Sequence, residues 1–189
     1  NMNRLTKFIE RRITVKKVLL LFILTNMVYV FMLTVTIPRT MAFSNGMNLL
    51  DMMPMGYDLN YVSELFNTLG KNGRETYLTN QIPIDMIYPL LFGLSYCLLL
   101  GYFLKKLNKL KTPYSYLCLL PIIAGIFDYL ENFGIITMLN TYPDLTNLLV
   151  SSTNIFTILK SVSTSLFFIT LIIVLISLGI SALNRKKKS

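Results

Sequence analysis

Four ionisable side chains lie inside long apolar stretches of this sequence: Asp85, Asp128, Glu131 and Lys160. A charge at the centre of a bilayer costs about 2.5–3.5 kcal/mol on insertion scales, so such residues face a protein interior and have partners. Asp128, Glu131 and Asn132 stand at i, i+3 and i+4, the spacing of one polar stripe on a helix. Asp85 and Tyr88 are likewise three apart, and Thr157 and Thr164 flank Lys160 on its own face. Arg74 and Tyr77 precede Asp85 closely enough in sequence to reach the same mouth. The expected ligand-binding set is therefore Asp85, Tyr88, Asp128, Glu131, Asn132, Lys160, Arg74 and Tyr77. Three acids against two bases leave one acid in excess. Either a carboxyl keeps its proton, or a cation or cationic ligand completes the site. Asp128, Glu131 and Asp85 are the candidate catalytic groups, and proton transfer is the chemistry they would carry. Whether the chain is an enzyme is left open by the residues alone.

The elements that must position these groups are four apolar stretches, at about 18–37, 84–104, 114–139 and 155–183. Each meets the roughly 20 residues that an α-helix needs to cross about 30 Å of hydrocarbon. The basic residues alternate between them. Six precede the first stretch, Lys105, Lys106, Lys109 and Lys111 separate the second and third, and Arg185 to Lys188 follow the fourth. The other two loops carry only Arg39, Lys71 and Arg74. The positive-inside rule then places both termini in the cytoplasm and the loop at 38–83 outside. The expected fold is an all-α integral membrane protein: a single domain over residues 1–189, built as a four-transmembrane-helix bundle. In that orientation all four intramembrane charges reach one level, in the outer half. Pro121 and Gly125, one to two turns below Asp128, predict a kink that opens space beneath the stripe. The first stretch follows basic residues as a signal peptide would. Its apolar run is too long, and Ile37-Pro38-Arg39 lacks a small-residue cleavage pattern, so an anchored helix is expected.

The outer loop has its own pattern. Asp58 is a good helix N-cap, Leu59, Val62, Leu65, Phe66 and Leu69 recur at helical spacing, and Gly70 suits the position just past a helix end. A short amphipathic helix is expected, lying on the headgroups or folded over the bundle mouth. Lys71-Asn72-Gly73-Arg74 reads as a turn. Met47, Met52, Met53 and Met55 make the earlier half of the loop adaptable, suited to a membrane surface or a partner.

Several functions are excluded or unsupported. The net charge of +9 sits at helix ends, where it meets anionic headgroups, so it does not argue for a nucleic-acid role. Two cysteines, Cys97 and Cys118, lie within spans, and there is no histidine. No metal site and no cofactor is expected, and the thiols read as packed and inert. No phosphate-binding glycine loop, nucleophile elbow or paired CxxC occurs. Asn26 reads as interhelical glue.

The layout of four spans, cytoplasmic termini, a structured first outer loop, the acids Asp85, Asp128 and Glu131 and a lysine-rich end resembles that of EXPERA-domain proteins. That family includes sterol isomerases and the sigma-2 receptor, which place acidic residues in a cavity open to the membrane. The resemblance implies that Asp85, Asp128 and Glu131 are cavity acids. The isomerases also use Trp and His, which this chain lacks. The terminal Lys186-Lys187-Lys188-Ser189 resembles a dilysine retrieval signal, so an endoplasmic reticulum membrane and a bacterial plasma membrane both fit. The leading expectation is an intramembrane pocket, open at the outer leaflet, for a lipid or amphipathic small molecule. The alternatives are a non-enzymatic accessory subunit docked on a partner membrane protein, and a homo-oligomeric proton or cation conductor.

Overall fold

The computed structural model describes residues 4–186. Helix makes up 83% of the chain and no strand occurs among the described residues. Lys187, Lys188 and Ser189, which carry most of the dilysine pattern, lie outside the described residues. Four helical stretches are long and apolar enough to cross a membrane: Val15–Met41, Leu59–Lys106, Tyr114–Thr141 and Asn147–Asn184.

The chain opens with a short helix, α1 (Arg4–Arg12), that buries Thr6 and Ile9. Thr14 then caps α2 (Val15–Phe31), its hydroxyl accepting from the Lys17 N–H at 3.4 Å. Helix α2 passes through a π-turn at Met32–Thr36 into α3 (Ile37–Met41). Pro38 explains the widened turn. It has no N–H, and its ring would collide with the carbonyl four residues back, so the ladder must open just before it. The same device recurs in the second stretch, where a π-turn at Tyr77–Gln81 precedes Pro83 in α5 (Ile82–Asp85). The two wide turns face each other, and the buried Thr36 hydroxyl donates to the Gln81 side-chain oxygen.

Helix α4 (Leu59–Thr76) starts at Asp58, whose Oδ1 accepts from the Tyr61 N–H at 2.8 Å. Its face of Val62, Leu65, Phe66 and Leu69 is fully buried with Leu49, Leu50, Ile135, Met138 and Val150. The expected turn over residues 71–74 is not there. Gly70 bends the path at φ 61° and ψ −173°, a conformation that side chains rarely adopt, and the helix resumes at once through Thr76. Gly73 then fits against Phe43, whose Cβ would stand 2.6 Å from an added methyl.

The second stretch continues through α5 and breaks at Met86–Ile87 before α6 (Tyr88–Lys106), with Pro89 in its first turn. The third enters as a 3-10 turn (Tyr114–Leu119) and becomes α7 (Leu120–Thr141). Pro121 therefore lies in the first turn of α7, where its missing N–H costs nothing, and it starts the helix instead of kinking it. Gly125 lets α7 close on α6: a Cβ there would meet the Pro89 carbonyl oxygen at 2.8 Å. Helix α8 (Asn147–Lys186) completes the bundle, packing most extensively on α7. A second core cluster holds Phe92, Tyr96, Leu100, Leu104, Phe167 and Leu171 together with Ile9 of α1. Cys97 and Cys118 are free and buried within it.

Candidate functional site

Between the two core clusters lies a cavity of about 680 Å³, lined by parts of α2, the π-turn after it, α6, α7, α8 and the loop turn at Leu50–Met52. The i, i+3, i+4 stripe of α7 stands at its wall. Asp128 lines the cavity, while Glu131 and Asn132, both 0% exposed, lie behind it. Lys160 of α8 also lines the cavity and reaches both acids, with its Nζ 3.3 Å from Asp128 Oδ1 and in an ion pair with Glu131. The Thr157 hydroxyl, one turn earlier on α8, donates to Glu131 Oε1 at 2.7 Å. Lys160 and Thr157 thus hold Glu131 from one helix face, as the three-residue spacing requires.

Thr157 lies 3.3 Å from the hydroxyl of Tyr57, a residue of the loop ahead of α4. The Tyr57 N–H is fixed by Asn154 Oδ1 at 2.9 Å. Burial pushes the Tyr57 hydroxyl above the ordinary tyrosine range, so it serves as a neutral hydroxyl.

Asp85 sits at the last residue of α5, at the break that precedes α6. Asp85 itself is among the residues that line the cavity. Asn132 holds the break, its Nδ2 donating to the Asp85 backbone carbonyl at 3.2 Å. The Asp85 side chain is 3% exposed, and its Oδ2 has no hydrogen-bond partner among the described residues. Such an orphaned buried oxygen forfeits about 1–3 kcal/mol unless something donates to it.

Tyr88 lines the cavity, stacked on Tyr29 of α2 at 5.6 Å between ring centroids. Phe92 and Tyr96 continue this aromatic wall at 4.8 Å from each other. Asn26 faces the same cavity and donates to its own helix, at Phe22 O.

The structure separates the remaining two sequence-derived candidates from the cavity. Arg74 donates to the Phe66 carbonyl at 2.6 Å, and its guanidinium lies 4.4 Å over the Tyr142 ring. It is spent on closing α4 and α7 together. Tyr77 is fully buried, and its hydroxyl donates to Asp51 Oδ1 at 2.5 Å.

Asp51 itself is a cavity-lining acid absent from the sequence-derived set. It rides on the 3-10 turn Leu50–Met52, and Gln81 donates to its Oδ2 at 2.9 Å. Its one sequence signal is a carboxyl set among Leu49, Leu50, Met52 and Met53. Three acids, Asp51, Asp85 and Asp128, therefore line the cavity with Glu131 behind them; Lys160 pairs with Asp128 and Glu131, and among the described residues it is the only basic one lining the cavity. Comparison of the chain with protein-family models, curated proteins and solved structures finds no match.

Proposed function

We propose that this is a multi-pass membrane protein whose cavity binds a lipid or another amphipathic small molecule with a positively charged head. In this reading the positive-inside pattern puts both termini in the cytoplasm and the cavity in the outer half of the bilayer. In that orientation the turn carrying Asp51, with Met52 and Pro54, lies on the outer side of the cavity. The observation that carries the reading is the imbalance of charge: Asp51, Asp85 and Asp128 line the cavity with Glu131 behind them, against Lys160 as the one base there among the described residues, within walls that are otherwise largely apolar and aromatic. Buried charge of one sign is stable only when paired, so a cationic group completes the set. Tyr29, Tyr88 and Phe92 suit that role, since aromatic faces attract cations and also accept an apolar tail. The volume of about 680 Å³ falls within the range of small-molecule pockets.

Native mass spectrometry of the gently solubilised protein tests this. A small molecule or specific lipid should remain bound to the native chain and be lost from Asp128→Asn and from Glu131→Gln, with membrane insertion intact in both. Identical adduct patterns in all three proteins would remove the basis for the site.

A further inference from the structure

Asp51 is held in a way that its own turn does not require. Leu49 and Leu50, both 0% exposed, already anchor the turn in the core. Yet two further buried side chains, Tyr77 and Gln81, donate to the two Asp51 oxygens, and Thr36 of the facing π-turn fixes Gln81 in turn. These donors come from the wide turn ahead of α5, the same short helix that ends in Asp85. One rigid segment therefore presents Asp85 directly and orients Asp51 through its side chains. Bringing another carboxyl to a cavity that already holds Asp85 and Asp128 is unfavourable by itself, because like charges repel strongly where water is scarce. The arrangement makes sense when something positive lies between them.

The hydrogen-bond inventory narrows its chemistry. Asp85 Oδ2 lacks a donor, and a carboxyl offers about four lone-pair sites, so Asp51 keeps acceptor capacity beyond the bonds from Tyr77 and Gln81. A quaternary ammonium would balance charge and still leave Asp85 Oδ2 without a donor. A protonated amine bearing N–H supplies both. We propose that Asp51 is a ligand-contacting residue of the cavity, and that it holds a protonated amine head group together with Asp85 while the tail lies along Tyr88 and Phe92. The inference rests on the reading of the cavity as a site for a cationic amphiphile, and it assigns the residue and the donor class that reading leaves open.

Saturable binding of tritiated dodecylamine and of dodecyltrimethylammonium to the full chain in detergent, with empty micelles subtracted, tests it. Dodecylamine should bind the native protein tightly and the trimethylated probe about tenfold more weakly or worse. Asp51→Asn should weaken dodecylamine by about tenfold or more, the loss of one charge-assisted hydrogen bond. Asp58→Asn, which keeps a competent helix cap in the same loop, should leave it unchanged. Equal dodecylamine binding by Asp51→Asn and the native protein overturns the assignment of Asp51 and leaves the cavity reading standing. Absence of saturable binding of either probe to the native protein overturns the cavity reading and the inference with it. Because Asp51 also anchors Tyr77 and Gln81, the native protein is labelled in parallel with an alkylamine carrying a diazirine beside the nitrogen. Label on residues 49–54 together with 85–92 supports the proposal; label confined to the spanning helices overturns it.

Discussion

At Lys160 a single ammonium faces Asp128 and Glu131, and its side chain is only 17% exposed. Breaking a buried ion pair by removing one partner leaves uncompensated charge and typically costs about 3–5 kcal/mol, whereas replacing the whole set is often nearly neutral. Lys160→Met should therefore lower the unfolding free energy in detergent by about that amount, read as a lower thermal unfolding temperature. Adding Asp128→Asn and Glu131→Gln to it should restore most of the loss. A triple variant as unstable as the single one would mean that the lysine contributes through its stem and not its charge. The α7 stripe and its lysine could be read from the sequence because helical spacing and membrane depth constrain both. Arg74 could not be placed that way. It precedes Asp85 by eleven residues of mostly helical chain, about 16 Å along the axis, so nearness in sequence became distance in space. Asp51 carried only the signal of a carboxyl among apolar loop residues, which does not report that Tyr77 and Gln81 will turn its acid inward.

Among the elements, α4 and its continuation show what a single backbone angle decides. The apolar spacing of residues 59–69 marks a helix, and Gly70 marks its end, but the sequence does not say that a second helical segment starts immediately after. The Gly70 conformation is one that costs a residue with a side chain about 1–3 kcal/mol. Since nothing lies within 4 Å of an added Cβ, that strain acts alone, without a steric clash. Gly70→Ala should accordingly lower stability by that amount, and hydrogen exchange should rise across residues 59–81 while the α8 amides stay protected. Unchanged exchange would show that the bend is imposed by packing around it. The start of α8 was hidden in the same fashion. Ser151, Ser152, Thr153 and Asn154 look loop-like, yet Thr153 is buried and Asn154 holds Tyr57, so the helix begins well before the apolar run does.

For the molecule as a whole, the apolar lengths made the four candidate spans legible, while its sidedness remains an expectation from charge placement. The protein offers a direct way to measure it. Both native thiols are buried, so an added cysteine reports against a quiet background. Asn72 and Lys111 are exposed, at the two ends of the second stretch and its following loop. In intact cells, Asn72→Cys should react with a membrane-impermeant maleimide, and Lys111→Cys only after permeabilisation. The reverse pattern would invert the topology and place the cavity in the inner half of the bilayer.

The paired wide turns at residues 32–36 and 77–81 also bear on how this chain can change length. A π-turn is a helix carrying one surplus residue, and each residue of an α-helix rotates the chain beyond it by about 100°. Deleting one residue from either turn would swing the flanking helix to a new face and part Thr36 from Gln81, though every remaining side chain were kept. Across sequences descended from a common ancestor, these two turns should accept substitutions and refuse insertions or deletions, and a loss in one should be tolerated only with a matching change in the other. Gap positions in a future alignment would thus report on the facing turns as a single inherited unit.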